Sequence, residues 1–156
     1  MHSPRQFFDA FVKRSYEEWL QAPVDLLRAS CAVHQANVMA ERMWHFYEKT
    51  DPARVRHATS KTGYRKALVR QCADFKFIWD ADNDFKHVKL ARMPRRAAVT
   101  GPGGLDGILR PIAVDGTLGP EVEPGPIVIV FEDGKRVPLS SALKNVIQMW
   151  ERELAS

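Results

Sequence analysis

Cysteine is nearly absent: Cys31 and Cys72 are the only two in 156 residues. They form no CxxC pair and each sits in an apolar pattern. This argues against a disulfide framework or a cysteine-ligated zinc site and predicts reduced core thiols. Long hydrophobic runs are missing too. No apolar stretch approaches the roughly 20 residues that cross a bilayer, and the opening MHSPRQFFDAFVKRSYEEW places charges where a signal peptide needs its apolar stretch. A cytoplasmic protein with no membrane partner is expected. Glycine and proline are sparse except in residues 94 to 126, which hold seven of nine glycines and six of ten prolines. The chain before that stretch is free to form helix, and the stretch itself reads as loop or short strand.

What is present is a globular composition. At 45% hydrophobic and 27% charged, the chain carries enough apolar surface for one core, and neither disorder nor repetition is indicated. The net charge of +4 is uneven. Residues 1 to 98 carry 18 Lys and Arg against 11 Asp and Glu, whereas residues 99 to 156 carry 5 against 8. Acids are missing altogether between Arg54 and Arg70, where Arg54, Arg56, Lys61, Arg65, Lys66 and Arg70 stand with His57. Such a segment is either a phosphate-binding footprint or the solvated face of a basic helix.

Helical spacing of Phe8, Phe11, Val12, Ser15 and Trp19 predicts a helix over Pro4 to Gln21, with Pro4 suited to the first turn. A second helix is expected from Val24 to Glu48, apolar along Leu26, Ala29, Val33, Ala36, Ala40, Met43, Trp44 and Tyr47, and ending before Pro52. A third covers Gly63 to Gln71. A fourth runs from Asp74, as N-cap, to near Ala91 before Pro94. PIVIVFEDGKRVPL predicts a β-hairpin turning at Glu132-Asp133-Gly134-Lys135, and Ile112 to Val114 offers a further strand. Ser140 or Ser141 then caps a closing helix with a stripe of Leu143, Val146, Ile147, Trp150 and Leu154. The expected fold is mainly α with some β: a four- to five-helix up-and-down bundle with a β-hairpin before the last helix. The chain divides into a helical body (1–98), a Gly/Pro-rich loop with the hairpin (99–139) and a final helix (140–156), all one domain.

Three motifs dissolve on inspection. Asp80-x-Asp82-x-Asp84 starts like a calcium loop, but Phe85 stands where the turn glycine belongs and Ala91 where the closing Glu belongs. Gly101-Pro102-Gly103-Gly104-Leu105-Asp106-Gly107 has Asp106 in the sixth place of GxGxxG and lacks a strand-to-helix setting, so it reads as a linker. His34, Glu41 and His45 share a helix face, yet a rise of about 1.5 Å per residue separates His34 from His45 by roughly 16 Å. No metal site and no cofactor are expected. The fourth helix is more informative. Its face of Cys72, Phe75 and Trp79 continues into Asp82, Asn83 and Lys86, and i, i+4 spacing pairs Asp82 with Lys86 and Asn83 with His87. Those four residues either converge at an open end of the core or leave it for solvent.

The run Asp80-Ala81-Asp82-Asn83-Asp84-Phe85-Lys86-His87 behind a helical body resembles the HEPN superfamily, over residues 24 to 92. The resemblance implies a helical bundle, often dimeric, that binds RNA or nucleotides, frequently in toxin-antitoxin or phage-defence settings, and in many members a metal-independent endoribonuclease. Carried onto this chain it makes His87 the proton-transfer residue, Lys86 the phosphate stabiliser and Asn83 the orienting group. Asp82 stands where the motif has its arginine. That departure speaks against catalysis, since a carboxylate repels the phosphate the arginine would bind. Arg65 and Arg70 are the candidate phosphate contacts from the preceding helix. The competing expectation is a non-enzymatic helical interaction module, a homodimer or partner-protein binder, pairing through exposed strand edges at Ile127 to Phe131.

Overall fold

The computed structural model describes residues 2–83, 88–94 and 124–156. Its first helical stretch is continuous but changes pitch: α1 (Pro4–Phe7), a π-helical segment (Phe8–Lys13) and α2 (Arg14–Gln21). Ser3 opens it with a reciprocal box, its Oγ accepting from the Gln6 amide while its own amide donates to Gln6 Oε1. Helix α3 (Leu26–Tyr47) follows, begun by Asp25, whose Oδ1 accepts from the Leu27 and Arg28 amides. A 3₁₀ turn (Pro52–Val55) leads to α4 (Lys61–Gln71), capped by Ser60 Oγ on the Gly63 amide at 3.0 Å. Then come α5 (Asp74–Asp82), β1 (Val88–Pro94), β2 (Pro124–Phe131), β3 (Arg136–Pro138) and α6 (Leu139–Ala155).

The long helix α3 is the axis of the core. Ala29, Ala32, Val33, Ala36, Met39, Ala40 and Met43 are all buried along it, and its alanines let neighbouring helices approach closely. Helix α6 delivers Leu143, Val146, Ile147 and Trp150 to the same core. Trp150 Nε1 donates to the Ala36 carbonyl at 2.9 Å, and its ring meets Phe75 of α5 edge-on. The sheet is antiparallel in the order β1-β2-β3. Leu90 pairs with Ile129 and Ile129 with Val137, so buried Ile127 and Ile129 share one face of the central strand and join the helical core.

A mainly helical chain with a β-hairpin before its last helix is therefore what forms, and several expectations need correcting. Helix α5 stops at Asp82, with Asn83 outside the helical geometry (φ −78°, ψ 6°), and Val88–Pro94 is a strand where a continuing helix was expected. The run VKLARM alternates well enough to pair, and β2 supplies the partner from more than thirty residues away, a contact that local spacing does not encode. Because β2 lies between β1 and β3, Val128, Ile129 and Val130 are paired on both sides, so the middle of the Ile127 to Phe131 run offers no free edge. Asp74 is the first residue of α5 and Ala73 its N-cap. Pro138 precedes α6 without a side-chain cap, while Ser141 Oγ donates back to the Pro138 carbonyl. Cys31 lies on the exposed side of α3 and Cys72 is partly buried, so the expectation of two core thiols fails for Cys31. The Gly101–Gly107 loop and the proposed strand at Ile112 to Val114 lie outside the described residues.

Candidate functional site

Helix α5 packs against α3, and its final residue, Asp82, reaches across to two side chains of α3. The Asp82 side chain is only 13% exposed. Its Oδ1 lies 2.9 Å from His34 Nδ1, and its Oδ2 accepts from Asn37 Nδ2 at 2.6 Å. His34 and Asn37 are one turn apart on α3, so both reach the same carboxylate. An ionised carboxylate only accepts, so the proton in the His34 contact belongs to Nδ1. That leaves Nε2, on an imidazole whose side chain is 58% exposed, without a hydrogen-bond partner among the described residues. Asn37 is itself buried, and its Oδ1 has no hydrogen-bond partner among the described residues. A buried polar atom left unpaired costs about 1–3 kcal/mol, a cost that structures tend to carry at functional positions.

Arg65 of α4 approaches from another side. Its side chain is 14% exposed, Nη2 is 4.0 Å from Glu41 Oε2, the guanidinium lies 5.7 Å over the Trp79 ring, and Nε is buried without a partner among the described residues. Burial draws its pKa down, while the charges of Glu41 and Asp82 oppose that pull. Glu41 also accepts from Lys61 Nζ at 2.6 Å, a bond that holds its carboxyl below the usual range. His45 Nε2 stands 3.4 Å from the same carboxylate. Across α3, α4 and α5 there is thus one row of polar groups, His34–Asp82–Asn37 at one end and Arg65–Glu41–Lys61 at the other. Among the described residues, no three of His, Cys, Asp and Glu are grouped to hold a metal ion.

The six basic residues of the 54–70 segment do not form one free patch. Arg56 makes a two-pronged bond to Glu153 (3.0 and 2.8 Å), and Arg54 Nη2 donates to the Glu153 carbonyl at 2.9 Å. Lys61 and Arg65 are engaged with Glu41. Lys66 and Arg70 remain exposed on α4, and no ion pair to either is formed among the described residues. Of the four residues singled out in the Asp82–His87 run, Asp82 faces inward. Asn83 instead donates its Nδ2 to the Trp79 carbonyl at 2.8 Å, closing the end of α5. Lys86 and His87 lie outside the described residues, as do the two helical pairings that depend on them. Sequence reasoning missed Asn37. Its signal was an amide in the middle of the Ala/Met face of α3, where a polar side chain needs a partner. His34 was noticed, but for the wrong companions, Glu41 and His45, which share its helix.

Two hollows flank His34. One of about 390 Å³ is lined by Asp82, Ser30, Val33, Val88 and Leu90. The other, of about 380 Å³, lies between α3 and the π-helical segment and includes Phe7, Phe11 and Arg42. The imidazole itself lines the second hollow, and the carboxylate that orients it lines the first. Comparison with known protein families, curated proteins and solved structures finds no match.

Proposed function

We propose that this chain is an HEPN-like protein that binds RNA or a nucleotide at the polar row around Asp82, with His34 as its proton-transfer group. The observation that carries this reading is a mostly buried carboxylate fixed by a buried amide and holding an exposed imidazole by Nδ1. Such an arrangement fixes the tautomer and presents Nε2 outward as a base. In the neutral ring Nε2 would take the proton of a ribose 2′-hydroxyl, and in the cation it would give one to the departing 5′-oxygen. The concern raised by a carboxylate in the arginine position is eased because Asp82 spends both oxygens on His34 and Asn37. Lys66 and Arg70, exposed on the same helix as Arg65, are the cations available to a phosphate.

The test is RNA cleavage and binding by the purified protein. General acid–base residues contribute about 100-fold or more to rate, so His34→Ala should lose at least that factor while still binding RNA. Unchanged cleavage in His34→Ala, with loss in His87→Ala, would return the proton-transfer role to the histidine that the family resemblance implies. Absence of cleavage in the wild type, with salt-sensitive binding retained, would leave a binding-type member. A second reading, a helical interaction module or homodimer, draws on Leu27, 74% exposed, and Leu20, 50% exposed. Sedimentation of wild type against Leu27→Glu distinguishes it, since a hydrophobic self-association would be lost in the variant and indifferent to salt.

A further inference from the structure

The π-helical segment Phe8–Lys13 places an extra residue in its turn. Phe8 and Val12 stay in the core, at 1% and 0% exposure, while Phe11 is left 43% exposed at the mouth of the hollow beside α3. A large aromatic held at the surface by a widened helix is uncommon, and π-helical turns occur often at functional positions. The Phe11 ring lies 5.0 Å from Phe7 and tilted 33° to it, and the Arg42 guanidinium sits 5.0 Å over Phe7. Gln35 and Val38 complete the α3 wall, and the imidazoles of His34 and His2 border the same space. Among the described residues no carboxylate lines it. The hollow thus combines aromatic faces, an amide able to donate and accept, and the Arg42 guanidinium.

We infer that this hollow is a nucleobase subsite for single-stranded RNA, in which a base stacks on Phe11 and its flanking phosphate meets Arg42. The inference rests on the proposed function and adds the part of the ligand recognised there. Three observations favour a base over an apolar peptide: the exposed Phe11 ring beside Phe7, the Arg42 guanidinium that complements a phosphate, and continuity with the candidate site through His34. A base so placed lies on the side of the imidazole away from Asp82, and the strand then runs past Nε2. Gln35 is the group that would read the base edge, since its amide offers both a donor and an acceptor.

The experiment is fluorescence anisotropy with a short labelled oligoadenylate and an abasic ribose-phosphate strand of equal length. Base–aromatic stacking predicts that the wild type prefers the base-bearing strand by about 10-fold or more. Phe11→Ala should lose most of that preference while the slope of log affinity against log salt stays unchanged, and Phe11→Trp should retain it. Thermal melting of each variant shows whether it is folded, and the exposed position of Phe11 makes Phe11→Ala the variant expected to remain so. Equal wild-type affinity for the two strands, or a folded Phe11→Ala that keeps the preference, overturns the subsite while leaving RNA binding standing. Failure of the wild type to bind either strand removes the functional reading and the subsite with it.

Discussion

Glu153 shows how much of the basic segment serves the fold. Its side chain is 11% exposed and receives Arg56 twice and Gln71 Nε2 at 2.8 Å, while its carbonyl receives Arg54 and Ser156 Oγ. Arg56 and His57 both adopt left-handed backbone, φ 55° and 51°, which non-glycine residues occupy at a cost of about 1–2 kcal/mol each. The Glu153 clamp holds that turn against α6. Glu153→Ala should destabilise the protein by about 2 kcal/mol or more, as for lost hydrogen bonds to charged groups. A lowered urea midpoint with unchanged m checks this. Tyr64 lies beside the clamp, fully buried, with the Arg56 guanidinium 5.9 Å from its ring centre and no hydrogen bond to its hydroxyl among the described residues. Burial, followed by the Glu153 charge, pushes its pKa well above the ordinary tyrosine value. Below about pH 10 both folded and unfolded chains keep that proton, so the contribution is whole. Above it the unfolded chain releases the proton and the folded chain does not, so stability falls as pH rises. Tyr64→Phe should match or slightly exceed wild-type stability near pH 8 and lose less of it near pH 10.5, as read from melts at the two values.

At the scale of elements, the turn between β2 and β3 needs its glycine for conformation alone. Gly134 has φ +83°, and a Cβ placed there would meet nothing within 4 Å. The Asp133 carboxylate accepts from the Lys135 amide, and the Phe131 amide donates to the Lys135 carbonyl at 2.9 Å, so the loop is fixed from both sides. Gly134→Ala should therefore cost about 1 kcal/mol through backbone strain, and Gly134→Asn less, because Asn tolerates the left-handed region. Equal melting temperatures for all three proteins would contradict this. Helix α5 illustrates the opposite case, an element whose end is set by its neighbours. Asp82 is stopped against α3 by His34 and Asn37, and Asn83 closes the last turn on the Trp79 carbonyl. Local spacing through Lys86 and beyond favours continuation, and the β1–β2 pairing overrides it from Val88 onward.

For the whole molecule, pairing of Arg54, Arg56, Lys61 and Arg65 leaves Lys66 and Arg70 as the exposed cations of that segment with no ion pair among the described residues. If single-stranded RNA engages them, each phosphate contact contributes about 0.7 to the salt slope of log affinity. Lys66→Ala with Arg70→Ala should then flatten that slope by roughly 1.4. An unaltered slope would place the phosphate contacts elsewhere.

The helical body, the hairpin and the closing helix were legible because each rests on local periodicity and turn chemistry: the stripe of α6, the Asp-Gly turn, the alanine face of α3. By itself the sequence determined the helical segments as far as Asp82 and the closing helix, where the hairpin turns, that Asp82 continues an apolar face, and that no long apolar span occurs. Tertiary structure alone decided the rest. Strand β1 needed a partner distant in the chain, the basic run needed Glu153 and Glu41 before its unpaired members could be known, and the His34 ring needed Asp82 from another helix to hold its Nδ1. The physical reason is one of range. Periodicity and capping act within a few residues, whereas charge pairing and strand pairing are settled only when the packed core brings distant segments within hydrogen-bond reach.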